Sequence, residues 1–94
     1  MRPPCTATTL VDDSLTRVTR FDFAPGAETG WHRHGLDYVI VAITDCPMLI
    51  EDPGGATRQV LVPAGTAYAR DAGVEHNVVC DGPDGMRFVE IERK

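Results

Sequence analysis

No stretch of this chain sustains a helical hydrophobic period for more than one turn, so helices cannot cover its core. Extended runs are closed off by turn residues roughly every 8–12 positions, the pattern of an all-β sandwich or barrel. Leu15 to Phe23 is rich in β-branched and aromatic residues and stops at Pro25-Gly26. Asp37 to Thr44 (DYVIVAIT) is almost continuously apolar, which predicts a strand buried on both faces. Asp45 to Pro47 turns the chain into a short return strand, Met48 to Glu51. Asp52-Pro53-Gly54-Gly55 is the clearest hairpin signal, with Thr57 to Val62 pairing back. Thr66 to Arg70, Val74 to Cys80 and Met86 to Glu92 complete the set. Residues 1–14 are expected to form a loose arm with one short strand around Thr8 to Val11, and residues 15–94 a single barrel domain.

A domain of this size hides only roughly 60–65% of its unfolded surface, so its core is thin. A partner subunit would help, and a homodimer is the commonest arrangement. The net charge is −5, and the nine Lys and Arg residues are scattered, which disfavours nucleic acid and anionic membrane surfaces. No apolar run approaches the roughly 18 residues that a membrane helix requires. The N-terminal MRPPCTAT lacks an apolar signal region, so a cytoplasmic location is expected. Cys5, Cys46 and Cys80 are odd in number and contain no CxxC pair, which reads as free thiols in a reducing compartment.

The chemistry concentrates on three histidines. His32 and His34 alternate within Gly26–His34 (GAETGWHRH), and on a strand alternate side chains share a face. His76 lies in a second Gly-bounded stretch, at the same parity as Val74, Val78 and Cys80. Three neutral imidazoles on a rigid barrel suffice for a divalent first-row ion. The competing reading packs them in a polar pocket with no ion. Cys80 reads as a small buried apolar residue, with a soft metal ligand or a redox role as the alternative.

These two stretches resemble the paired motifs of the cupin superfamily, small jelly-roll barrels. Gly26, five residues and His32-x-His34 match the first motif; Gly65, five residues, Asp71-x-Gly73, two residues and His76 match the second, with Asp71 where the family prefers Pro. The resemblance covers about residues 15–92 and is strongest to short cupins associated with β-alanine catabolism. It implies a double-stranded β-helix of about 8–10 short antiparallel strands. It also implies a metal cup of His32, His34 and His76 holding zinc, iron, manganese or nickel. The family's acidic ligand falls at Tyr38 or Val39, neither a carboxylate, and Asp37 stands one residue early. A bulge or slip there would turn Asp37 inward.

Around that cup, Tyr68 and Arg70 share a strand face, suited to a carboxylate-bearing ligand or to a dimer interface. Tyr38, Tyr68 and Asp37 are the candidate proton movers. Trp31 and Arg33 alternate with the histidines and should face away from them. Three functions are compatible with these residues. One is a metal-dependent enzyme of dioxygenase, isomerase or hydrolase type acting on a small anionic molecule. The others are a non-catalytic small-molecule-binding module without metal, and a structural barrel working through its dimer surface.

Overall fold

The computed structural model describes all 94 residues and is built almost wholly of strands. They are β1 (Thr6–Asp12), β2 (Thr16–Phe23), β3 (His32–Arg33), β4 (Asp37–Ala42), β5 (Cys46–Glu51), β6 (Thr57–Val62), β7 (Ala67–Arg70), β8 (Glu75–Cys80) and β9 (Met86–Arg93). A single 3₁₀ turn, Pro53–Gly55, closes the β5–β6 hairpin that Asp52-Pro53-Gly54-Gly55 predicts. Five strands form one sheet in the order β1-β2-β9-β4-β7, and four form the other in the order β3-β8-β5-β6. Every pairing between these strands is antiparallel. The expected all-β jelly roll is the observed fold.

Alternation along the strands builds the core between the sheets. Met86, Phe88, Glu90 and Glu92 of β9 point inward, as do Tyr38, Ile40 and Ala42 of β4. Met86, Phe88 and the three β4 residues meet Met48 and Ile50 of β5 and Val78 and Cys80 of β8 in one cluster. Phe88 anchors it, with its ring 5.3 Å from Phe21 and 5.4 Å from Phe23, the tilted geometry that aromatic pairs favour.

Three sequence expectations change in detail. The β4 run is buried on one face only, because Val39 and Val41 look outward and are screened by neighbours on β7 and β9 rather than by another layer. Residues 1–14 contribute a seven-residue edge strand, β1, paired with β2 from Thr6↔Asp22 to Asp12↔Arg17 with a one-residue register shift between Thr9 and Val11. Upstream of it Arg2 reaches Glu51 at 2.8 Å, and the Cys5 amide donates to the Glu28 carbonyl, which pins the start of the chain to the barrel. Finally, Cys46 and Pro47 belong to β5 rather than to the turn before it. Pro47 is tolerated because the β5–β8 ladder begins only at Met48↔Cys80.

Candidate metal centre

β3 and β8 place the histidines. Gly30, at φ 83°, bends the chain into β3, a backbone conformation that a residue with a Cβ enters only at a cost. His32 then pairs directly opposite His76. One step on, the His34 amide donates to the Val74 carbonyl at 2.9 Å and the His34 carbonyl accepts from the Gly73 amide at 2.7 Å. His32 and His34 therefore look inward together, while Trp31 and Arg33 are exposed on the other side.

The three imidazoles converge through Nε2. His32 Nε2 is 2.9 Å from His34 Nε2, which is 3.1 Å from His76 Nε2. Nitrogens bound to one ion at about 2.0–2.1 Å stand about 2.9–3.4 Å apart, depending on the bond angles, so these two separations fit, and the ligand atoms of all three residues lie within 4.8 Å of one another. The protons point the same way. His32 Nδ1 lies 2.8 Å from the Gly30 carbonyl, which only accepts, so Nδ1 carries the hydrogen and Nε2 presents its lone pair. A proton on His34 Nε2 serves one neighbour and leaves the other contact unmatched. A cation among the three resolves that conflict. Burial, reinforced by the neighbouring His32, holds His34 down to about 4. Burial again, with His32, His34 and Arg70 adding, holds His76 down to about 4. Both rings are therefore neutral, as ligands must be, at physiological pH.

The cluster sits in a cavity of about 270 Å³ between the sheets. Tyr38 fills the position where the cupin carboxylate is expected. Its ring stacks on His34 at 3.8 Å between centroids, and its hydroxyl is buried without a partner. Burial pushes that phenol up to about 12, so it is a proton donor and not a base. Tyr68 joins the cavity from β7 and is likewise pushed up by burial. Asp37 does not join it. β4 runs without a bulge from Asp37↔Arg93 to Ala42↔Phe88, which leaves Asp37 exposed and accepting from the Ala72 amide at 2.8 Å. Arg70 faces inward opposite Tyr38. Cys80 packs in the apolar core, away from the histidines, and Asn77 turns to the opposite face, where it donates to Glu28 and Glu51.

The carboxylates of the cavity come from β9 instead. Glu90 and Glu92 are both buried, and Glu90 Oε2 stands 3.7 Å from His34 Nδ1. Arg17 donates to the two oxygens of Glu92 at 2.7 and 3.0 Å and holds that carboxyl below the usual range. Burial and the neighbouring Glu92 push Glu90 up. Neither glutamate stands out in the sequence. The signal was parity, because both alternate in step with Met86 and Phe88 and so must share the core face.

A jelly-roll barrel with three histidines converging inside it defines a class, and the chain belongs to the cupin superfamily. It is 52% identical over 93 residues to the Beta-alanine degradation protein BauB of Pseudomonas aeruginosa, a match covering 99% of this chain and 97% of that one. A solved cupin domain from Bordetella pertussis is 44% identical and superposes with a TM-score of 0.95, covering 100% of this chain and 97% of that one. A double-stranded β-helix protein from Klebsiella pneumoniae, 17% identical with a TM-score of 0.78 over 96% of this chain and 76% of that one, shares the fold alone. No protein-family model matches the chain.

Proposed function

We propose that this chain is a metal-binding cupin that holds one divalent transition ion (zinc, iron, manganese or nickel) at His32, His34 and His76, and that a small anionic metabolite binds or reacts there. The convergence of three Nε2 atoms at 2.9 and 3.1 Å carries the reading. An ion held by these three imidazoles would supply Lewis acidity. Tyr38 donates its phenolic proton to a ligand atom in the cavity, and Tyr68 does so from the neighbouring strand of the same sheet. Arg70 holds the ligand's negative charge. The name of the Pseudomonas relative supports a setting in β-alanine degradation. Protein prepared without a histidine tag is expected to carry close to one transition ion per chain by elemental analysis. If no such ion is present and none of the four raises the melting temperature, the reading is wrong.

We also propose that the chain works as a homodimer joined through the outer face of its five-stranded sheet. Val11, Val18, Ile91, Val39 and Ala69 stand in one register row across all five strands, beside a second row with Val89, Val41 and Ala67. These rows carry no acidic side chain in a chain of net charge −5, so a second copy meets least repulsion here. A stable dimer covers about 800 Å² per partner, an affordable share of the 5316 Å² surface. Light scattering should return twice 10.2 kDa for the native chain and 10.2 kDa for Val39→Glu. A native monomer refutes the dimer.

A further inference from the structure

The two sheets have free edges at β6 and β7, and between them a slot of about 410 Å³ runs in from the surface to the back of the histidine cluster. Tyr38, Tyr68 and His76 line both this slot and the metal cavity, so the two spaces share a wall. The slot is apolar along Ile50, Val60 and Val62. Two guanidinium groups border it. Arg58 is taken up by Asp52, to which it donates at 2.6 and 3.2 Å. Arg70, half-buried on the inner face of β7, makes no hydrogen bond or ion pair; Asp52 feels its charge but is turned to Arg58.

Two other polar groups along this wall are unmatched. The chain leaves two buried side-chain polar atoms without a partner, the Tyr38 hydroxyl and His76 Nδ1, and both belong to residues lining the slot. Tyr38 is 1% exposed and His76 6%. Buried polar atoms are nearly always satisfied in folded proteins, so a pair of exceptions on one wall, beside an unpaired guanidinium, calls for a ligand. A planar guanidinium matches a carboxylate through two parallel hydrogen bonds. The apolar floor matches methylene groups, not a second charge.

We propose that this slot binds a short aliphatic carboxylate, with the carboxylate on Arg70, the methylene chain along Ile50, Val60 and Val62, and the far end directed past Tyr68 and Tyr38 toward the histidines. The substrate of the cup is then a small acid functionalised at the end remote from its carboxylate. That substrate assignment rests on the metal reading above, whereas carboxylate binding in the slot does not.

Calorimetric titration of the metal-free protein with acetate, butanoate and hexanoate tests the slot. Affinity should rise about fourfold per methylene, and butylamine and inorganic phosphate should give no binding. Arg70→Ala should weaken butanoate at least tenfold while leaving transition-ion uptake intact. His32→Ala, outside the slot, should lose the ion and keep butanoate. Affinity independent of chain length, phosphate binding as well as butanoate, an unaffected Arg70→Ala, or loss of butanoate in His32→Ala would each overturn the proposal. Butanoate binding by a protein that takes up no ion would refute the metal reading alone and leave the slot standing.

Discussion

Replacing His76 by alanine is expected to lower affinity for a divalent transition ion by roughly a hundredfold to a thousandfold. Structural zinc sites contribute about 10–16 kcal/mol over four ligands, so one imidazole accounts for about 2.5–4 kcal/mol of it. His76 is directly opposite His32 and within 3.1 Å of His34, so neither neighbour can substitute for it without moving a strand. Without metal the same substitution should cost little. It removes an orphaned buried nitrogen along with the ring, and cavities on two sides of the residue let water refill the space. The signature is thus a melting temperature close to native in the metal-free protein and loss of the rise on adding ion. Cys80→Ala, on the same strand at the same parity but packed in the apolar core, should retain the ion. A Cys80→Ala protein that loses its ion while His76→Ala keeps it would place the ligand set elsewhere.

The histidines were legible in sequence because a strand's period of two is rigid, so His32 and His34 must share a face, and because the resemblance of both glycine-bounded stretches to the cupin motifs put His76 in the same cup. The same rule settles what composition left open at β4. With Tyr38 inward, Asp37 and Val39 face outward, and a regular ladder with β9 gives no bulge to reverse them. The near-continuous apolar run misled because β-branched residues suit an exposed sheet face as well as a second buried one. Glu90 and Glu92 were hidden for another reason. Acidic residues near a chain end read as solvated, although their parity with Met86 and Phe88 pointed inward, and the pairing of β9 between β2 and β4 puts them in the barrel. Arg17 then becomes necessary, since a buried Glu92 without it would carry an unpaired charge. The slot was invisible because it belongs to no strand; it exists where two sheet edges fail to meet.

The metal-free barrel is expected to lose stability steeply as pH falls from about 6.5 to about 4. His34 and His76 are held down to about 4 in the fold, mainly by burial, against an ordinary value of 6.5. Between those values the unfolded chain binds protons that the folded chain refuses, so stability falls with pH. Above 6.5 the penalty is absent; below 4 it is complete, at up to about 3 kcal/mol for one such histidine. Glu90 has the opposite sign. Burial and Glu92 raise it, so the folded state holds its proton more tightly and this group favours the fold as pH drops. Two histidines against one glutamate leave the acid limb in control, and Glu90→Gln, which removes the opposing contribution, should make the fall steeper. Urea titrations of the metal-free protein from pH 7.5 to 4 measure both. Adding a bound ion should move the whole limb to lower pH, because the metal competes with protons for the same Nε2 atoms. A metal-free profile that is flat down to pH 4 would mean that these imidazoles reach solvent and take up their protons without unfolding.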